Sequence, residues 1–237
     1  MQIANNIHAF IWESMSANNC NTYLIDGPTR ILIDPGHRHL FDHVHEGLME
    51  LNLTLEDIGL IICTHAHPDH MEAVQLFNKI PTLITLHPKE WSFLKTMDKH
   101  ILASIGLDIE LIEPDFFLTE GDVSVNRLNM EVIHTPGHSS DSICLYCEED
   151  GVLFAGDTPV ISAPAHGSFE QGFVQAMEKL FRRDIRSIYF GHGLPKHDDC
   201  NKHIRNSLVN VRKSIEQGRN GTGQTLVRSK YAEKDKF

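Results

Sequence analysis

The chain has 237 residues, enough for one sizeable domain that buries a full core without disulfide staples. Hydrophobic residues make up 41% and charged residues 22%, an ordinary globular composition, and no apolar run approaches the roughly 20 residues that span a bilayer. The formal net charge of −11 argues against affinity driven by a phosphate backbone, so a nucleic-acid partner is not expected.

In chain order, short β-branched runs alternate with helical patterns. Strands are expected at 7–12, 22–25 and 30–33, the last running into Asp34-Pro35-Gly36. A helix follows at 40–51, and Thr54-Leu55-Glu56-Asp57 reads as the capped start of a short helical turn. An apolar strand at 59–63 ends in Thr64-His65-Ala66-His67-Pro68-Asp69-His70, and the helix at 68–78 begins with Pro68 at its first position. Further on come a strand at 82–86, a helix at 88–96, and strands at 130–134, 142–147 and 152–155. A helix at 169–181, a strand at 187–190 and a helix at 201–217 complete the pattern. Residues 1–218 read as one domain, a two-layer sheet core with helices outside, and residues 219–237 read as a mobile tail.

The five cysteines are odd in number and scattered. Cys144 and Cys147 form a C-x-x-C, but three residues apart on a strand they face opposite ways, so both read as reduced core thiols. With no basic n-region or following apolar stretch at the start, the cytoplasm is the expected compartment.

Chemistry concentrates in the 16 histidines. His65 and His67 are two apart, so in an extended segment both imidazoles project the same way and can share one metal ion. Asp69 and His70 come after the chain turns and can face a neighbouring ion. One loop cannot complete two sites, and three later strand ends supply partners. Thr135-Pro136-Gly137-His138-Ser139 presents an imidazole after a glycine that permits a tight turn. Gly156-Asp157-Thr158 presents a carboxylate, and Gly191-His192-Gly193 a further imidazole.

These motifs, in this order and over the span from about Cys20 to His192, resemble the metallo-β-lactamase superfamily. The resemblance implies an α/β fold, a four-layer αββα sandwich with metals in a groove at one sheet edge. It implies that His65, His67 and His138 bind a first metal, that Asp69, His70 and His192 bind a second, and that Asp157 bridges the two. Asp34 matches another family position, where its carboxylate would hold a ligand imidazole in its tautomer. Imidazole and carboxylate ligands suit two divalent ions, with zinc expected and iron or manganese as alternatives. Two ions about 3.5–4 Å apart can share a water and lower its pKa, giving a bridging hydroxide that attacks a carbonyl or phosphoryl centre. Asp69 and Asp157 are accordingly the expected catalytic carboxylates.

The seven-ligand set is most similar to that of glyoxalase II, a thioesterase cleaving hydroxyacylglutathione. The stretch after His192 is shorter than the helical extension with which that family binds glutathione, so the thiol carrier is open. A lactonase or a phosphodiesterase or ribonuclease would use the same ion pair. A mononuclear iron persulfide dioxygenase would use His65, His138 and Asp157 alone. A small-molecule substrate is expected, with no membrane contact and with a homodimer left open.

Other candidates rank lower. His37, His39, His43 and His45 read as a solvated helix face, and His134 as a strand-end histidine near the site. His166, on the loop after Asp157, and Lys196, after His192, are candidates for the substrate groove. Phe10 and Trp12 read as core residues, with Met15 a candidate for the groove's other edge.

Overall fold

The computed structural model describes residues 2–4, 6–14, 16–125, 128–158 and 171–220. Strands β1 (Gln2–Ala4), β2 (Ile7–Phe10), β3 (Thr22–Ile25), β4 (Arg30–Ile33), β5 (Ile58–Ile62), β6 (Leu83–Leu86) and β7 (Phe116–Phe117) lie side by side in that order. The first four pair antiparallel, and β4 to β7 continue in parallel. A second sheet has the order β12-β11-β10-β9-β8, from β8 (Gly121–Val125), β9 (Leu128–His134), β10 (Ile143–Cys147), β11 (Val152–Gly156) and β12 (Ser187–Phe190). Its β11 and β12 run parallel and the other pairs antiparallel.

Period-two alternation builds three apolar layers from these strands. Ile31, Ile33, Leu60 and Ile62 from the first sheet meet Val132, Ile143, Leu145 and Phe154 from the second between the sheets. The opposite faces of the same strands point outward to helices. Leu32 and Ile61 pack against Val44 and Leu48 of α1 (Asp42–Glu50), Leu94 of α3 (Pro88–Thr96) and Leu102 of α4 (Lys99–Ser104). Ile133, Leu153 and Ile188 pack against Met177 and Leu180 of α5 (Gln171–Phe181) and Ile204 and Leu208 of α6 (Cys200–Asn220). The result is the expected four-layer αββα sandwich. Cys144 lies in the outer layer and Cys147 between the sheets, on opposite faces as their spacing requires, and all five cysteines are free and buried.

Several elements depart from the sequence reading. The helix expected at 68–78 is a single α-turn, α2 (Pro68–Met71), followed by a 3₁₀ stretch at Glu72–Phe77. The cause is a backbone clamp: the Gly36 amide donates to the His70 carbonyl at 3.1 Å, and the Ala73 amide donates to the Gly36 carbonyl at 2.8 Å. Both groups are thereby taken out of the α-helical ladder. Strand β8 is an edge strand with an exposed face carrying Asp122 and Ser124, too polar to stand out as a strand. Helix α4 was also not anticipated; Asp98 caps it by accepting the His100 amide at 2.7 Å. The helix expected at 40–51 starts at Asp42, preceded by a 3₁₀ turn at Arg38–Leu40, while α6 runs to Asn220. The tail expected from residue 219 otherwise lies outside the described residues. Phe10 is a core residue, whereas Trp12 is half-buried, edge-on to His43. Met15 lies outside the described residues.

Candidate metal centre

All the motif-bearing turns emerge at one end of the sandwich. The loop after β5 carries His65 and His67, α2 carries Asp69 and His70, and the turns after β9, β11 and β12 carry His138, Asp157 and His192. His67 Nδ1 lies 3.0 Å from His65 Nε2 and 2.9 Å from His138 Nε2. Separations of this size are close to the edge of about 3.3 Å expected between ligands of a tetrahedral ion with Zn–N of about 2.0–2.1 Å. Asp69, His70 and His192 form a second convergent group, with His192 Nε2 at 3.3 Å from Asp69 Oδ2.

Asp157 lies between them. Its Oδ1 is 3.2 Å from His70 Nε2, and its Oδ2 is 3.3 Å from His138 Nε2 and 3.4 Å from His192 Nε2. Yet His70 Nε2, His192 Nε2 and Asp157 Oδ1 are buried with no hydrogen-bond partner. Polar atoms buried without a partner are costly, and here they face one another at ligand distances. The donor set and its orphaned atoms therefore fit a pair of divalent ions, held by three imidazoles on one side and a carboxylate and two imidazoles on the other.

A second tier of contacts fixes which nitrogen each ring presents. Asp34, 2% exposed, accepts the Thr64 amide on Oδ1 at 2.7 Å. Its Oδ2 accepts the Thr64 hydroxyl at 2.8 Å and His70 Nδ1–H at 2.9 Å. Since a carboxylate only accepts, His70 carries its proton on Nδ1 and turns Nε2 inward. Thr64 Oγ1, having donated to Asp34, accepts from His65 Nδ1 at 3.1 Å, which likewise leaves His65 Nε2 for the centre. Asp34 adopts φ 51°, a left-handed conformation that Asp tolerates better than most residues, at a position built for this contact.

Glycine has a steric role at two of the turns. A Cβ at Gly191 would collide with the Asp157 carboxylate and come within 2.6 Å of His70 Cε1, so only glycine lets the His192 turn approach the centre. Gly137, at φ 146°, lies where a Cβ would enter the Phe173 ring, and it turns the chain so that His138 reaches His67.

The electrostatics differ between the two groups. Burial holds His65, His67 and His138 below the ordinary imidazole range, His138 at about 4. Burial also acts on His70 and His192, but there the carboxylates outweigh it. Asp157 and Asp34 raise His70, and Asp157 and Asp69 lift His192 to about 9. Burial would raise Asp69 and Asp157, yet the neighbouring imidazoles hold both well below the usual carboxylate range.

Three residues of the site were not anticipated. Glu90, on α3, accepts the Ala66 amide on Oε2 at 3.0 Å, and on Oε1 the Ser139 hydroxyl at 2.5 Å and the Asp141 amide at 3.2 Å. It thus joins the loop of His65 and His67 to the loop of His138. Asn18 donates to Asp69 Oδ2 at 2.7 Å. Asn21 donates its side-chain amide to the carbonyls of Phe190 and Gly193, bracketing His192. The run Asn18-Asn19-Cys20-Asn21, polar and just ahead of the buried β3, was the available signal.

The lower-ranked candidates separate. His134 Nε2 pairs with Asp141 at 3.1 Å and stacks on His87, apart from the seven converging residues. Lys196 pairs through its backbone with Ile188, and its charge acts on the Cys200 thiol. His166 lies outside the described residues. His37 and His39 precede α1 rather than forming its solvated face, and they approach Glu72.

The profile of the Metallo-beta-lactamase superfamily matches residues 15–192. A probable metallo-hydrolase of Methanocaldococcus jannaschii, MJ0888, is 33% identical over 187 residues, covering 73% of this chain and 87% of that protein. A hydroxyacylglutathione hydrolase of Francisella philomiragia is 31% identical over 144 residues, covering 60% of this chain and 48% of its own length. An atrochrysone carboxyl ACP thioesterase of a Cryptosporiopsis species is 28% identical, covering 75% of this chain and 50% of that protein. The chain thus spans about half the length of these last two relatives. Among solved structures, a metallo-beta-lactamase family protein from Thermus thermophilus superposes with a TM-score of 0.69 at 22% identity, over 92% of this chain and 80% of that one. The profile and the archaeal relative carry the assignment: this chain belongs to the metallo-β-lactamase superfamily and is a metal-dependent hydrolase.

Proposed function

We propose that the chain is a dinuclear hydrolase of thioesters or esters, resembling glyoxalase II in chemistry. The observation that carries this reading is the placement of Asp157, within 3.2–3.4 Å of ligand atoms from both groups and with one oxygen buried unpartnered. His65, His67 and His138 would hold one ion, Asp69, His70 and His192 the other, and Asp157 both, with zinc favoured by the imidazole-rich set. Such a pair supplies a water acidified to hydroxide near neutral pH and polarises the electrophilic oxygen.

The protein's own residues set the stage for that water. Asp34 holds the proton of His70 on Nδ1, Asn18 orients Asp69, and Glu90 keeps the two ligand loops in register. No cysteine competes as nucleophile: all five are buried, and burial pushes each thiol up, Cys147 to about 12 and Cys144 to about 11. Free thiols throughout also suit a reducing compartment such as the cytoplasm, and no helix among the described residues is long and apolar enough to cross a membrane.

The thioester preference is supported by two relatives whose names specify thioester substrates, one on glutathione and one on an acyl carrier protein. A panel of a glutathione thioester, an acyl-carrier thioester, a lactone, a phosphodiester, a β-lactam and a persulfide tests it. Highest kcat/KM on a thioester supports the reading. Preference for the phosphodiester, or oxygen uptake with the persulfide, would overturn it.

A further inference from the structure

We infer that His37, His39 and Glu72 form an additional binding site for a borderline divalent cation such as Zn²⁺, Co²⁺ or Ni²⁺, outside the dinuclear centre. His37 Nδ1 contacts Glu72 Oε2 directly, and His39 Nδ1 lies 3.9 Å from the same oxygen. The ring centroids are 5.0 Å apart at 49°, and both Nδ1 atoms approach the same Glu72 oxygen. The three ligand atoms fall within the reach of one ion. Two imidazole nitrogens and a carboxylate oxygen make a set suited to borderline transition ions rather than to Mg²⁺ or Ca²⁺.

The surroundings are those of a cation site. Glu72 is 8% exposed, and among the described residues no lysine or arginine lies within ion-pair distance of it. Its carboxylate sits against Gly106, where a Cβ would be 2.6 Å from Oε1, so the glycine leaves room for the acid. The His37 amide is fixed by Asn19 Oδ1 at 2.8 Å, which sets the turn that aims both rings. The His39 side chain is 67% exposed, so an ion can enter from solvent and keep water on its open positions.

A second cluster, His87, His134 and Asp141, has the same composition but a different charge state. Lys89 Nζ already lies 3.1 Å from Asp141 Oδ1 and supplies the cation there. Among the described residues Glu72 is paired with the two imidazoles and with no lysine or arginine. Its site is also tied to the dinuclear centre: the Gly36 amide donates to the His70 carbonyl, and the Ala73 amide to the Gly36 carbonyl. An ion bridging His37 and His39 to Glu72 would close the same junction between the Asp34 turn and α2.

The test is equilibrium dialysis of the full chain, stripped of metal, against graded Co²⁺ or Zn²⁺, with metal per chain counted by elemental analysis. Wild type is compared with His39→Ala, Glu72→Gln and His37→Ala/His39→Ala. The double variant should bind one equivalent fewer than wild type. His39→Ala should weaken one binding step by more than the 10–100-fold that loss of an outer-shell partner typically costs, with hydrolytic activity kept. His39→Ala removes an exposed ring, so it remains informative even if the double variant folds poorly. Equal stoichiometry and equal affinities in wild type and His39→Ala would overturn the inference.

Discussion

Glu90 accepts the backbone amide of Ala66 at 3.0 Å, and through this bond a helix on the outer face governs the spacing of His65 and His67. The other oxygen holds Ser139 and Asp141, so the single carboxylate spans the two loops of the first ligand group.

Replacing Glu90 with Ala would leave two buried amides unpaired, at a cost of about 1–3 kcal/mol each. The expected outcome is a lower thermal midpoint together with weaker binding of one ion. The second ion, held by Asp69, His70 and His192, should be less affected. Stepwise metal titration with a melting curve checks this, and equal weakening of both steps would show that Glu90 acts on the fold alone.

Asp34 gives a sharper separation of position from packing. Asn at this position tolerates φ 51°, and its carbonyl can still accept one Thr64 donor. Its amide nitrogen only donates, so it would face either the Thr64 amide or the Thr64 hydroxyl and His70 Nδ1–H, and Asn cannot accept all three donors as the carboxylate does. Asp34→Asn should therefore lose about 10–100-fold in metal affinity while keeping its fold. Asp34→Ala should lose stability as well. Calorimetric metal titration and circular dichroism on both variants measure the split.

The legibility of these residues follows from where their partners lie. His65, His67, Asp69 and His70 stand together in sequence because one strand end and one helical turn deliver them, and each remaining ligand sits beside a glycine at a strand end. The layers were legible because short, nearly continuous apolar runs identify β4, β5, β10 and β11 as strands buried on both faces. Glu90 looked like any helix glutamate. Its role depends on β6 and α3 being brought beside the loop after β5, which no local pattern encodes. Asn18 and Asn21 were hidden for the same reason, since their partners lie at Asp69 and at the His192 turn. The early end of α2 also depended on a distant group, the Gly36 backbone.

The two ligand groups should take up metal with different pH dependence. In the metal-free chain His65, His67 and His138 are neutral at pH 7, because burial lowers them, His138 to about 4. An ion entering there displaces no proton from these rings. His70 is raised and His192 sits at about 9, so both carry a proton at pH 7 that an ion must displace. Affinity for that ion should rise by up to about tenfold per displaced proton per pH unit from neutral pH, with the His192 contribution levelling off above about 9. The sign is that of a raised imidazole: the proton competes below its folded pKa and ceases to compete above it. Calorimetry in buffers of differing ionisation enthalpy at pH 6.5, 7.5 and 8.5, chosen to bracket neutral pH at about one-unit steps, counts the protons released. Proton release equal for both ions would contradict the assignment.

Asp157 is the residue on which the dinuclear reading stands, since among the described residues it alone pairs with His70, His138 and His192. The most direct measurement is metal content and thioester turnover, taken together, for wild type and Asp157→Ala. The account predicts two ions per wild-type chain beyond any held at His37, His39 and Glu72, with those two ions and turnover lost together in the variant. One iron per wild-type chain with oxygen uptake, or full turnover in Asp157→Ala, would contradict it.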